Sequence, residues 1–330
     1  MSKSTAAPMR ENIVMPDLPI VDAHIHLWDR IGFDYFAPEF LVDVADGHNV
    51  TASIYVECNM RYSDDPRPDF QPIGETEFVL EQAKLAEGSG HDLACGILGA
   101  VNLPLGADVE PIIDAQIAAG QGRFRGVRFR VAFDTDPVAG YNEIGYPSGS
   151  VLDNPAFLDA ARCLARKGLV LDLWAFHTQL DDVLRFAEKV PELTIVLDHV
   201  GGPLGVGRYA SMRKEVFGHW SRGIGSLATA PNVNVKLSGL GISRLGFNFA
   251  GGGQAQSSDE LVAAWKPYVR TCVEAFGPER SIFGSNFPVD RAAASYRTLL
   301  NGFKKMLADI GDVELRAVFA ENARRVYRLP

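Results

Sequence analysis

Two histidines separated by one residue, His24 and His26, follow an apolar run that begins at Ile20. On a β-strand, side chains two positions apart lie on the same face, so both imidazoles can point to one place. Such a pair suits a divalent metal ion or an anion. Two histidines that are satisfied by local hydrogen bonds are the alternative, and the pair alone does not decide between them.

Polar side chains also follow other apolar runs of the chain. Of the seven histidines, His24, His26, His177 and His199 lie where a predicted strand ends, whereas the remaining three lie in predicted helices or connections. A random distribution would rarely place four of seven histidines there, so the clustering favours a metal-binding or catalytic role. Other strands carry or end in residues that can bind or ionise: Glu57, Arg128, Arg130 and Asn286.

The elements that must position these residues alternate between apolar runs and amphipathic stretches. The predicted strands cover residues 20–24, 52–57, 95–102, 126–131, 169–176, 193–199, 233–238 and 281–285. Strands without period-two alternation are typical of a parallel sheet that is covered on both faces. About eight strand–helix units predict an α/β fold, a (β/α)8 TIM barrel. A doubly wound open sheet is the alternative, which the missing Gly-x-Gly-x-x-Gly after the first strand disfavours.

We expect a loose N-terminal arm over residues 1–16 and a single barrel domain over residues 17–330. Three predicted strand-to-helix connections are long, at 58–74, 132–154 and 239–257. In a barrel they project from the C-terminal face, where active sites lie. The third contains Gly251, Gly252, Gly253 and Gln254, and it is expected to be a mobile lid.

The bulk composition excludes several kinds of partner. The net charge of −9 argues against nucleic acids and anionic membranes, because both require a basic surface. No apolar run reaches the roughly 18 residues that span a bilayer, and the first residues lack the apolar core of a signal peptide. The four cysteines show no Cys-x-x-Cys spacing, which indicates reduced thiols. We expect a cytoplasmic protein with a small-molecule substrate, and a homo-oligomer is left open.

Three ordered motifs resemble those of the amidohydrolase superfamily. They are Val21-Asp22-Ala23-His24-Ile25-His26, Leu197-Asp198-His199-Val200-Gly201-Gly202-Pro203 and Phe283-Gly284-Ser285-Asn286-Phe287-Pro288. The resemblance covers residues 18 to 329 and is greatest to the branch that contains 2-pyrone-4,6-dicarboxylate lactonase and the sugar-acid lactonases. It implies a (β/α)8 barrel hydrolase.

The resemblance also implies how the histidines act. His24, His26 and His199 would hold one divalent metal ion, and His177 and His199 would bind metal or polarise the scissile carbonyl. A zinc ion, or alternatively manganese, would lower the pKa of its bound water. Members with two metals have a lysine where this chain has Arg128, so at most one metal is expected. Some members of the lactonase branch work without a metal, so none is the other expectation.

The chain departs from the family at Asn286, where members usually have an aspartate that serves as metal ligand and general base. An amide cannot act as a general base. Glu57 is our provisional base, because burial would raise its pKa. Its alternative role is an ion pair with an arginine such as Arg128. Asp290 is the second candidate base, and its alternative role is that of a helix N-cap.

Arginines indicate the charge of the substrate. Arg128 and Arg130 lie on one strand face, and Arg61 and Arg244 lie in long loops of the same barrel end. Guanidinium groups bind carboxylates with two hydrogen bonds, which favours an anionic substrate, although each arginine alone could be structural. Tyr62 is expected to add a flat wall for a ring, together with Trp28, Phe247 and Trp174, although Trp174 could equally belong to the core.

These features predict a hydrolase that opens a lactone or a related cyclic or activated carbonyl compound bearing a carboxylate. The alternatives are a metal-dependent decarboxylase of the same superfamily and a catalytically idle binding protein.

Overall fold

Eight parallel strands form one sheet in the structure of the protein. The structure is a computed structural model, and it describes residues 11–30, 32–140, 151–249, 255 and 257–330. The strands are β1 (Ile20–Ile25), β4 (Val50–Val56), β5 (Asp92–Gly99), β6 (Phe124–Arg130), β7 (Val170–Trp174), β8 (Ile195–Leu197), β9 (Val233–Leu237) and β10 (Ser281–Phe283), and they pair in this order. All eight correspond to predicted strands. The (β/α)8 barrel is therefore confirmed, and the open doubly wound sheet is not.

The barrel closes between its first and last strands. A parallel bridge joins Ile25 to Phe287 just beyond β10. The backbone N–H of His26 donates to the carbonyl of Phe287 (2.8 Å), and the N–H of Asn286 donates to the carbonyl of His24 (2.8 Å). The histidine motif and the Asn286 motif, which lie more than 250 residues apart in sequence, therefore meet at this seam.

Helices cover the outer face of the barrel: α2 (Ile73–Leu85), α3 (Glu110–Ala119), α4 (Pro155–Arg166), α5 (Leu180–Lys189), α6 (Arg213–Leu227), α7 (Ser258–Phe276) and α8 (Tyr296–Met306). The C-terminal part consists of α9 (Asp312–Arg316), one π-helical turn (Ala317–Glu321) and α10 (Asn322–Val326). Ala323, Val326 and Tyr327 share a buried cluster with Val21 and Ile54 of the strands. The end of the chain therefore closes the bottom of the barrel, opposite the expected site.

Three elements after β1 were not predicted. A hairpin of β2 (Trp28–Arg30) and β3 (Phe33–Tyr35) precedes α1 (Ala37–Val44). Strands of three residues are too short to show a periodicity, which is why the sequence pattern missed them. Residues 251–254, expected to form the lid, and residues 141–150 of the second long loop lie outside the described residues.

The described part of the N-terminal arm lies against α7 and α8. The N–H of Val14 donates to Asn301 Oδ1 (2.9 Å), and Lys304 Nζ donates to the carbonyls of Val14 (3.1 Å) and Met15 (2.9 Å). Glu11 accepts hydrogen bonds from the N–H and the hydroxyl of Ser258. Residues 11–15 are thus tied to the barrel. No helix in the described ranges is long and apolar enough to cross a membrane.

Candidate active site

A cavity of about 480 Å³ opens at the C-terminal ends of the barrel strands. His26, Glu57, Arg128, His199 and Asn286, which lie on or just after five different strands, line it. Strands of a barrel converge at this end, so polar residues that are distant in sequence meet there. Trp28, Phe33 and Trp174 supply apolar walls. Six of the eleven sequence-predicted site residues, the five named above and Arg130, thus line one cavity.

His26 lines this cavity, and its Nε2 has no hydrogen-bond partner among the described residues. Its Nδ1 lies 2.8 Å from the carbonyl oxygen of Val56. A carbonyl only accepts, so Nδ1 carries the proton and Nε2 keeps its lone pair. Burial and the nearby Arg128 lower the pKa of His26 to about 4. The ring is therefore neutral at pH 7 and can accept a proton.

His24 and His199 lie beside His26. The ring centroid of His24 lies 4.9 Å from that of His26 and 4.5 Å from that of His199. His199 Nδ1 is 2.9 Å from the Ser238 hydroxyl, and burial lowers the pKa of His199 to about 3. His24 is fully buried, which is the main reason that its pKa is well below the ordinary value.

A buried ammonium group lies behind His24. Lys236 Nζ is 3.3 Å from His24 Nδ1 and 3.2 Å from Asp198 Oδ1, and it also donates to Asp172 Oδ2. Burial alone would lower the pKa of Lys236, but the carboxylates of Asp172 and Asp198 outweigh it and raise this pKa. Lys236 and Asp198 lie at strand ends, but neither was among the predicted site residues.

The cluster that most resembles a metal site does not fit a divalent ion in this arrangement. Among the described residues, the ligand-type atoms of His24, Asp198 and His199 lie within 4.8 Å of one another, whereas His26 is outside this group. Two of these three residues already contact the Lys236 ammonium. A second cation there would be repelled by the first. The expected set of His24, His26 and His199 stays a prediction: the three rings are neighbours, but His26 is not in the group whose ligand-type atoms lie this close together.

Glu57 is paired with two arginines. Its Oε1 accepts from Arg128 Nη1 (3.0 Å) and from Arg130 Nη2 (2.6 Å). Burial alone would raise the pKa of Glu57, but Arg130 and Arg128 outweigh it and lower this pKa. The expectation of a raised pKa was therefore wrong, and the alternative of an ion pair with Arg128 is the one observed.

Asn286 is oriented by Asp290. Its Nδ2 donates to Asp290 Oδ1 (2.7 Å), and Gly241 N–H donates to Asp290 Oδ2 (3.0 Å). The carbonyl oxygen is the polar atom of Asn286 that remains for the cavity. Burial raises the pKa of Asp290 to about 7. Asp290 lies within a 3₁₀ turn (Val289–Ala292) rather than at an N-cap, and it is fully buried behind Asn286.

Besides His24, four of the predicted site residues do not line the cavity. Arg61 pairs with Asp29 and is half exposed, and the Tyr62 hydroxyl donates to Asn59. Arg244 donates to the Gly140 carbonyl (3.4 Å). The imidazole of His177 packs against the rings of Tyr209 and His219. These four residues lie in long loops or at the end of a predicted strand, but their side chains do not reach the cavity.

Two other arginines, Arg30 and Arg291, line the cavity instead. Arg30 lies in the hairpin strand β2, over the ring of Trp28 (5.7 Å), and its Nη2 is buried without a hydrogen-bond partner among the described residues. The Arg291 guanidinium lies over the ring of Phe33 (5.4 Å). Arg30 was missed because the hairpin was not predicted, and Arg291 lies in the 3₁₀ turn Val289–Ala292 rather than at a strand end. With Arg128 and Arg130, the described lining of the cavity contains four guanidinium groups and one carboxylate, that of Glu57.

Comparison with known proteins agrees with this geometry. The chain is 29% identical to the uncharacterized protein y4mH of Sinorhizobium fredii, over 96% of this chain and 100% of that protein. It is 26% identical to an L-fucono-1,5-lactonase of Burkholderia ambifaria, over 84% and 82%. A crystal structure of an amidohydrolase from Burkholderia multivorans with bound Zn superposes with a TM-score of 0.71 at 24% identity, over 94% and 99% of the two chains.

The family model for amidohydrolases matches residues 21–329. This range includes every barrel strand from the second residue of β1 onward, and it contains all the residues that line the cavity. The predicted family and the predicted hydrolase class are both confirmed. The chain belongs to the amidohydrolase family.

Proposed function

We propose that the enzyme opens a lactone, or a closely related cyclic ester, that carries a carboxylate. The observation that carries this proposal is the free Nε2 lone pair of His26 in a cavity with four guanidinium groups. A neutral imidazole can take a proton from water, and guanidinium groups bind carboxylates and developing negative charge. The lactonase name of a relative supports the choice of ester.

In the proposed reaction, His26 Nε2 removes a proton from a water molecule while the water oxygen attacks the lactone carbonyl carbon. The carbonyl π electrons move onto oxygen, and cavity arginines stabilise this oxyanion. When the carbonyl reforms, the ring C–O bond breaks, and the leaving oxygen receives the proton from His26. The product is a hydroxy acid, so atoms and charge balance.

Asn286 has a positioning function in this scheme. Its amide nitrogen is bonded to Asp290, so its Oδ1 can accept a hydrogen bond from the attacking water or from a substrate hydroxyl. Two residues thus share the role of the aspartate in the family motif. His26 takes the proton, and Asn286 orients the water molecule that gives it up.

The proposal uses no metal-dependent step. Zinc, or manganese as the second expectation, would supply a hydroxide if it were bound, but the contacts of Lys236 do not leave a fitting ligand group. A decarboxylase requires a proton donor at the substrate carbon. With pKa values of about 4 and 3, His26 and His199 are neutral at pH 7 and do not suit this role. An idle binding protein would not need a free imidazole lone pair in the cavity.

Substitution of the proposed base tests the function directly. Wild type and His26→Gln are compared in a pH-indicator screen of lactones, each lactone acid being paired with its neutral amide. We expect the acids to be better substrates, and His26→Gln to lower kcat about 10²- to 10⁴-fold. His219→Gln, a histidine outside the cavity, is the control and should retain activity. Full activity of His26→Gln on a substrate of the wild type would contradict the proposal.

A further inference from the structure

The ammonium group of Lys236 lies among three polar neighbours inside the barrel. It makes hydrogen bonds to Asp172 Oδ2 and to His24 Nδ1 (3.3 Å), and Asp198 Oδ1 lies within ion-pair distance at 3.2 Å. The side chains of Lys236, Asp172 and Asp198 are fully buried. A buried lysine is costly unless it is paired, and here two buried carboxylates lie within ion-pair distance of it.

This contact determines which nitrogen of His24 carries the proton. An ammonium group only donates, so the Nδ1 atom 3.3 Å from it must present its lone pair. The proton of the neutral ring is then on Nε2. Asp198 Oδ1 lies at 3.5 Å from the same Nδ1, within ion-pair distance, but it has no hydrogen-bond partner. Lys236 is nearer to Nδ1 than Asp198 is, and Lys236 makes the hydrogen bond. The hydrogen-bond partner of His24 Nδ1 is therefore the ammonium group and not the carboxylate.

A protonated Nε2 cannot bind a metal ion, since a ligating imidazole nitrogen uses its lone pair. If Asp198 had accepted from Nδ1–H, Nε2 would have been free as a ligand, the arrangement that metal-bound histidines usually show. His24 Nε2 is buried, and none of the described residues accepts its proton. The same ammonium also occupies one side of Asp198, the only carboxylate of the cluster.

We infer that the Lys236 ammonium takes the place of a divalent cation between His24 and Asp198, and that it fixes His24 in the Nε2–H form. The consequence is a built-in positive charge behind His24 and His199 that needs no ion from solution. Only this consequence for catalysis rests on the function proposed above, where it leaves His26 as the proton acceptor. The charge and the tautomer can be measured without any substrate.

The first test is made on the wild-type protein. Histidines are labelled with ¹⁵N, and the His24 signals are assigned by their loss in His24→Gln. Two-bond couplings then report which ring nitrogen carries the proton. We expect Nε2–H for His24 and Nδ1–H for His26, so that one spectrum contains both tautomers. A proton on His24 Nδ1 would overturn the inference.

The second test measures zinc. Metal-stripped protein is dialysed against zinc chloride and analysed by mass spectrometry. Wild type should retain no zinc that depends on His24, whereas Lys236→Met should gain roughly one zinc ion per chain, which is lost again in Lys236→Met/His24→Gln. Lys304→Met is the matched control, because Lys304 is also buried and also donates to a histidine Nδ1 (His48, 2.9 Å).

Each outcome of the zinc test either supports or overturns the inference about the Lys236 ammonium. Retention of one zinc by wild type, with loss in His24→Gln, would overturn the inference, and so would a folded Lys236→Met that gains none. If Lys236→Met does not fold, the tautomer of His24 and the zinc content of wild type still decide. Absence of lactone hydrolysis would contradict only the proposed function, because neither test contains a substrate.

Discussion

At the scale of single residues, the chemistry of the site depends on which ring nitrogen of each histidine is free. His24 and His26 are two positions apart in sequence, yet their Nδ1 atoms have opposite partners, an ammonium donor and a carbonyl acceptor. The two rings are therefore in opposite tautomers. A sequence motif specifies that two imidazoles are present, but the residues of other strands specify what each imidazole can do.

The pH dependence of the reaction follows from His26. Burial and Arg128 lower its pKa to about 4, and a base must be unprotonated to act. We expect kcat/KM to be constant at neutral pH and to fall about tenfold per pH unit below about 4. The measurement is a series of initial rates from about pH 3 to about pH 8, with folding checked by circular dichroism at each pH.

Arg128→Met provides the control for this profile. Removing a positive neighbour favours the imidazolium form, so the acidic limb of the profile should move to higher pH. A limb that lies at the ordinary histidine value in wild type, or that does not move in Arg128→Met, would exclude His26 as the base.

At the scale of elements, the turn after β10 places Asp290 and thereby orients the side chain of Asn286. The 3₁₀ turn Val289–Ala292 buries Asp290 under Asn286 and against the N–H of Gly241. Its two carboxylate oxygens accept from two different segments, so Asp290 joins the β10 seam to the loop after β9. The orientation of the Asn286 amide is therefore a property of the turn.

Asp290→Asn should remove a pH-dependent contribution to stability. Burial raises the pKa of Asp290 from 3.8 to about 7. The folded protein therefore holds this proton more tightly, and the contribution is complete below the unfolded pKa and lost as pH rises through about 7. Over this window wild type should lose on the order of 4 kcal/mol relative to Asp290→Asn. Thermal unfolding at pH values between about 4 and 8 checks this.

Asp34→Asn, at an exposed position of the hairpin, is the control and should follow wild type at every pH. A stability difference between Asp290→Asn and wild type that is the same at all pH values would show that Asp290 is not protonated in this range.

The observed elements also show which parts of the fold and of the site could be predicted from the sequence. All eight barrel strands could be predicted, because fully buried strands leave continuous apolar runs. His26, His199, Arg128 and Asn286 could be placed in one site, because parallel strands of a barrel end at the same face. Arg30 could not, since its three-residue strand leaves no periodic signal. The pairing of Glu57 with two arginines was only one of two alternatives, because pairing depends on side-chain directions that spacing does not specify.

At the scale of the whole molecule, the two ends of the barrel are connected through its buried charges. Tyr327, near the C-terminus, closes the bottom of the barrel, and its hydroxyl donates to Asp172 Oδ1 (2.9 Å). Asp172 in turn accepts from Lys236, which contacts His24 below the cavity. One chain of contacts thus runs from the C-terminal segment to the histidine motif.

This connection predicts that Tyr327→Phe lowers the free energy of unfolding, although Tyr327 lies near the C-terminus. The substitution leaves the packing of the ring intact but removes one of the donors of a fully buried carboxylate. We expect the free energy of unfolding to fall by about 1 to 3 kcal/mol, since an unsatisfied buried acceptor cannot turn to water. Tyr62→Phe is the comparison: its hydroxyl donates to Asn59 at an exposed site, and the change should stay within about 0.5 kcal/mol. Chemical denaturation of the three proteins measures both values. Equal stabilities of Tyr327→Phe and wild type would show that the Asp172–Lys236 pair is satisfied without the C-terminal segment.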